Sequence, residues 1–144
     1  MITPPSSILL AFPQVRYQAA HELMTWHPRG VLDDPLLDEI AAFVQAQEQV
    51  TTAQPFNRFT DFSGLMEIRL QIGHVFKVAE TRIRAHADLA PVKSAFFCDK
   101  FVGFGIAQLY ETLMEGSSIQ VRAFCDRTAA AEWLGVPVEV LLGD

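Results

Sequence analysis

Val92-Lys93-Ser94-Ala95-Phe96-Phe97-Cys98-Asp99 and, further on, Ile119-Gln120-Val121-Arg122-Ala123-Phe124-Cys125-Asp126 carry the fold in this sequence. Each is a short run rich in β-branched and aromatic residues, ends in Phe-Cys-Asp, and leads into a helical pattern. Phe104 to Met114 repeats apolar residues at helical spacing through Ile106, Tyr110 and Leu113, with Gly116 as its stop. Thr128 to Leu134 does the same and ends at Gly135 and Pro137. Strands alternating with helices describe a mostly parallel sheet whose strand C-termini share one edge, the usual place for function in such sheets.

The same alternation extends toward the N-terminus. Leu65, Ile68, Ile72, Val75, Phe76, Ala79 and Ile83 recur every three or four residues, which predicts one long helix over 65–86 with Glu67, Arg69, Glu80, Arg82 and Arg84 mostly on other faces. Phe56 to Phe62 is an aromatic-rich strand, and Asp34-Pro35-Leu36-Leu37 is a helix start with an Asp able to cap and a Pro at the first helical position. That helix is expected to end near Gln49. Ile8 to Phe12 and Val15 to Trp26 predict short strands joined without a helix, forming an antiparallel flap, after a mobile start over 1–7. The fold class is therefore α/β to α+β, a mixed, mostly parallel sheet of about five strands with helices packed on it.

The 144 residues make one domain over 1–144, and half are hydrophobic against 19% charged, which demands a sheet covered on both faces, a cavity or a subunit interface. The apolar tail at 136–144, with Val138-Glu139-Val140-Leu141-Leu142, predicts a homodimer through an exchanged or edge-pairing strand. A net charge of −6 supplies no basic field for a polyanion, so nucleic acid is not expected as a partner. No apolar run approaches a membrane span, no signal-peptide pattern opens the chain, and two cysteines suit a reducing cytoplasm.

Asp61, Asp99 and Asp126 each follow a strand, and on neighbouring strands they would put hard oxygens at one edge, suited to Mg²⁺ and phosphoryl transfer. The plainer role is capping of the turns and helices that follow. Ser63, before Gly64, is a candidate phosphorylation site at a helix start, with a simple N-cap as its alternative. Gly103 and Gly105 could admit a phosphate at a helix start but lack the rest of a dinucleotide fingerprint. Phe101 and Phe104 join them at the proposed ligand edge, where the phenylalanines form either dense core or an apolar pocket. Cys98 and Cys125 are read as inert core thiols, although equivalent positions on adjacent strands leave a disulfide conceivable. The four histidines show no metal-ligand spacing, His74 takes an ordinary surface or partly buried role, and neither metal nor cofactor is expected.

The run Val121 to Gly135 resembles the terminal strand-helix signature of the SpoIIAA-like proteins, with Phe124, Asp126, Ala130, Trp133 and Leu134 at matching positions. The segment Pro91 to Tyr110 is similar too, and the order of elements agrees over Glu22 to Gly135. The resemblance implies a fold related to STAS domains of anti-sigma-factor antagonists and to Sec14-type lipid-binding domains, with Trp133 and Leu134 anchoring a helix on the sheet. The antagonist branch switches partner binding by phosphorylating a serine in an Asp-Ser-Ser/Thr-Gly-Leu turn. Asp61-Phe62-Ser63-Gly64-Leu65 matches its ending but has Phe62 in place of a small hydroxyl residue. The expectation is a non-catalytic regulatory or protein-interaction module, with a carrier of a lipid or other apolar small molecule as the alternative and a Mg-dependent enzyme as the third.

Overall fold

A computed structural model describes residues 11–143. The expected mobile start lies outside them, as does most of the expected strand at Ile8 to Phe12. Among the described residues four helices and seven strands form a mixed α/β fold. The strands are β1 (Val15–Gln18), β2 (Leu23–Trp26), β3 (Gly30–Asp33), β4 (Asn57–Asp61), β5 (Leu65–Arg69), β6 (Val92–Phe97) and β7 (Ile119–Phe124). The helices are α1 (Asp34–Val50), α2 (Ile72–His86), α3 (Phe101–Leu113) and α4 (Arg127–Leu134). The main sheet has the order β1-β2-β4-β6-β7. β2, β4, β6 and β7 run parallel, and β1 closes one edge antiparallel to β2.

Strand parity divides the core. Leu23, Phe59, Ala95 and Phe97 point to one face and meet Ala130, Ala131 and Leu134 of α4. Met24, Trp26 and Phe96 point to the other, where they meet Ile40 and Phe43 of α1 and Ala107 of α3. All four residues of β2 are buried because both faces of the sheet are covered there. α4 ends on Gly135, whose φ of 74° supplies the left-handed cap. Trp133 lies across Phe124 with ring centroids 5.7 Å apart, and Lys93 Nζ donates to its carbonyl at 2.8 Å, so this helix is anchored on the sheet as expected.

Three expectations are corrected. The helical spacing from Leu65 does not mark one helix: Leu65–Arg69 is a strand pairing in parallel with β3, and α2 begins at Ile72. The register explains the false period. Gly30 faces Leu65 but Val31 faces Glu67, so Met66 is an extra residue in β5, and this bulge moves the inward positions from every second residue to Leu65 and Ile68. The cap of α1 is Asp33, accepting from Leu36 N at 3.0 Å, so Pro35 occupies the second helical position. The tail is not an open strand either. Val138–Leu141 is a 3-10 turn, Leu141 is fully buried against α4's side of the core, and the carbonyls of Val140 and Leu141 bond Gln18 Nε2 and His27 Nε2 at 2.6 and 2.9 Å. Its backbone and its central leucine are used within the chain, which removes the basis for edge pairing through it.

Because Leu141 fills the α4 layer, Leu141→Ala should lower the free energy of unfolding by about 2–5 kcal/mol. The half-exposed Leu142 →Ala control should change it by less than about 0.5 kcal/mol, both read from urea midpoints.

Candidate functional site

The carboxyl ends of β4, β6 and β7 are neighbours, so Asp61, Asp99 and Asp126 do lie along one edge. They do not converge on one point. Asp61 is buried on the α4 face, accepts from Ser63 N at 2.8 Å, and takes Arg127 Nη2 at 2.9 Å and Arg127 Nε at 3.1 Å. Asp99 is exposed and pairs with Lys100 at 3.3 Å, while Asp126 caps α4 by accepting from Thr128 N at 3.0 Å. Among the described residues no group of three His, Cys, Asp or Glu side chains is placed to hold a metal ion.

Ser63 sits in a 3-10 turn between two strands, with α2 beginning nine residues further on, so the expected helix dipole is not there to receive a phosphate. A different cation takes its place: Arg127 Nη2 donates to Ser63 Oγ at 2.9 Å while holding Asp61. Its guanidinium also lies 4.1 Å from the centroid of the Phe97 ring, and His27 Nε2 stands 3.9 Å from Asp61. Arg127 and His27 carried no local motif in the sequence. Parity alone could have found the arginine, because Asp61 and Phe59 face the α4 layer and Arg127 opens that helix.

Beside this cluster the edge is apolar. Met66, Phe101 and Val102 are 86%, 94% and 63% exposed and border a groove of about 320 Å³ between β5 and the start of α3. Gly103 lies inside α3, where an added Cβ would stand 3.4 Å from Phe62, so it admits close packing of helix on turn; Gly105 faces open space. Phe104 is half-buried on the core. Cys98 is buried, and burial together with the charges of Asp61 and Asp99 pushes its thiol up to about 12. Cys125 is exposed, which corrects its assignment to the core: it falls just past the end of β7, beyond the helix cover. The thiols are free, and no disulfide joins them. His74 bonds Asp38 at 2.6 Å across α1 and α2 near the surface.

A second polar cluster lies under α1 and α2. Glu48 Oε2 accepts from Arg58 Nη1 at 2.5 Å and also from Arg82 Nη2, and all three side chains are buried. Arg82, expected on an outer face, instead continues the buried stripe Val75, Val78, Ala79, Arg82, His86 of α2. Glu48 likewise continues Ile40, Phe43 and Gln47 of α1. A charge standing in an apolar stripe was the signal. Burial pushes the Glu48 carboxyl up, but the Arg82 hydrogen bond and the charges of Arg58 and Arg82 outweigh it and hold it below the ordinary carboxylate range. Burial and the two guanidinium charges together push His86 below its ordinary value, against the pull of Glu48 4.0 Å away. The Ser118 hydroxyl donates to the His86 carbonyl at 2.7 Å, which assigns the proton of the neutral ring to Nδ1, donating back to Ser118 Oγ at 2.6 Å.

No protein-family model, no curated protein and no solved structure matches this chain.

Two measurements follow from these environments. A thiol reagent at neutral pH should modify Cys125 within minutes and leave Cys98 unmodified until the protein unfolds, as read by peptide mass. Stability should fall on acidification in two stages. The unfolded chain protonates His86 below the ordinary 6.5 while the fold holds it neutral, so stability is lost as pH drops below that value. Glu48 adds a further loss below its ordinary 4.5, as pH falls through its depressed folded value. A His86→Asn variant should flatten the first stage of a urea-midpoint profile and leave the second.

Proposed function

We propose that the chain is a non-catalytic regulatory module that docks another protein at the carboxyl edge of its sheet, in the manner of the SpoIIAA-like and STAS proteins it resembles. The observation that carries this reading is the exposed apolar border of Met66, Phe101 and Val102 beside the Ser63–Arg127–Asp61 cluster. Large exposed apolar side chains grouped with ordered polar ones are what a docking face requires. The bulge at Met66 and the helix start at Phe101 are what push these side chains outward. The module acts in the cytoplasm. No described helix is long and apolar enough to cross a membrane.

Ser63 provides the means of regulation. A phosphoryl group there would add about −1.5 to −2 charge beside Asp61 and compete with it for Arg127. That exchange would repel the buried carboxylate and alter the turn that leads into Met66. Each of Asp61, Asp99 and Asp126 has a protein partner, which favours this use of the edge over a shared Mg²⁺.

The test is a photo-crosslinking residue placed at Phe101 in cells, with one at the exposed Val50 on the far end of α1 as control. The expected result is one discrete adduct from position 101, lost in a Met66→Asp, Val102→Asp variant that keeps its far-ultraviolet spectrum. Its mass tells a second copy of the chain from a different protein. Equal, diffuse labelling from both positions would contradict the reading.

A further inference from the structure

Between the sheet and the layer of α1, α2 and α3 lies a cavity of about 120 Å³. Most of its wall is apolar, including Leu37, Val44, Val75 and Ile106, but Arg58 and Arg82 stand in it while Glu48 does not. Two residues of the buried charge cluster, Arg58 and Arg82, are thus in the cavity wall, and its single carboxylate is not. With His86 neutral, the charges of Glu48, Arg58 and Arg82 leave one positive charge unmatched within this buried cluster. The Arg82 and Arg58 side chains are only 5% and 9% exposed; Arg82 Nη1 and Arg58 Nε have no hydrogen-bond partner, and on the acceptor side Glu48 Oε1 has none either. Leaving a buried cation and its donors unmatched is costly, and an arginine in a protein does not shed its proton to escape the cost. Thr60, Ser94 and Tyr110 line the same space, with the Tyr110 phenol against Arg82, adding hydroxyls that can donate to an anion.

We propose that this cavity binds a small monocarboxylate with a compact apolar body, its carboxylate on Arg82 and its carbon chain among the apolar residues of the three helices. Both halves of the ligand are specified by the wall. The unmatched positive charge asks for a single negative one, and the fork of a guanidinium suits a carboxylate. The apolar remainder asks for hydrocarbon rather than water, and size limits it: a cavity of about 150 Å³ holds benzene with its six non-hydrogen atoms, so butyrate, also with six, is at the upper limit for this one. The site is on the opposite face of the sheet from Asp61 and Arg127 and is independent of the proposed docking edge.

The experiment is ligand-observed saturation-transfer NMR on the full chain with butyrate, in parallel with thermal melting. The comparison ligands are 1-butanol, butylammonium and formate, all in chloride-free buffer. Butyrate should show saturation transfer and raise the melting temperature in a concentration-dependent way. Butanol and formate should each bind at least tenfold more weakly, since each lacks one half of the match, and butylammonium should not bind. Arg82→Met should weaken butyrate at least tenfold, as should Ile106→Phe, which fills the cavity without touching the charges and serves if the arginine variant does not fold. Absence of butyrate transfer at tens of millimolar would overturn the proposal. So would formate binding as tightly as butyrate, because the site would then recognise a small anion without the hydrocarbon, and so would Ile106→Phe binding butyrate normally.

Discussion

One carboxylate oxygen, Glu48 Oε2, accepts hydrogen bonds from the guanidinium groups of both Arg58 and Arg82. These residues belong to α1, β4 and α2, so the contact ties two helices to the central strand in the buried interior. Apolar burial drives these elements together but specifies their relative positions only loosely. A buried ion pair is not in itself a strong source of stability, because the desolvation of its charges offsets most of the Coulombic gain. What it does impose is a penalty on any arrangement that separates the partners. Here that penalty fixes how α1 and α2 sit on β4, and it leaves the surplus of positive charge that faces the cavity.

The two faces of the sheet are used differently as a result. On the α1–α3 side, Arg58, Thr60 and Ser94 place polar groups in the sheet's interior, in register across β4 and β6, under an apolar helix layer. On the α4 side the sheet offers Phe59, Ala95 and Phe97, a dry surface that α4 and the turn at Val138–Leu141 cover completely near Leu141. At its carboxyl rim the α4 side gathers the Asp61–Arg127–Ser63 cluster, with His27 beside it. The alternation of a strand thus separates an internal polar site from an edge site only one residue away along β4, between Thr60 and Asp61.

The strands and helices from Val92 onward were legible because each element announces itself twice, by period and by its stop. Phe-Cys-Asp ends both strands, and Gly116 and Gly135 follow both helices. The stretch from Leu65 to Arg69 was misleading because a bulge can give a strand the three-residue spacing of a helix, and composition does not mark a bulge when the extra residue is a methionine. The edge aspartates were placed correctly but not their partners, since Arg127 and His27 reach Asp61 only through the packing of α4 and the β2 connection. Glu48 and Arg82 were readable in principle. Each interrupts an apolar stripe, and charge alone assigned Arg82 to the surface when its spacing assigned it to the core. The tail at Val138–Leu142 shows the converse: its hydrophobicity was real, and the core on α4's side receives Leu141 within the chain.

Glu48 is outnumbered by the arginines it holds, and the relative cost of removing each charge tests this directly. Glu48→Gln leaves two buried guanidinium groups facing each other and should cost about 3–5 kcal/mol of unfolding free energy. Arg82→Met leaves a neutral Glu48–Arg58 pair in an otherwise apolar setting and should cost far less than Glu48→Gln, or nothing. Urea unfolding of the two variants at pH about 8, where His86 is neutral in both folded and unfolded chains, decides the matter. The predicted order is a large loss for Glu48→Gln and a small change for Arg82→Met. An Arg82→Met loss as large as that of Glu48→Gln would show that the positive charge is not in surplus and would contradict the account.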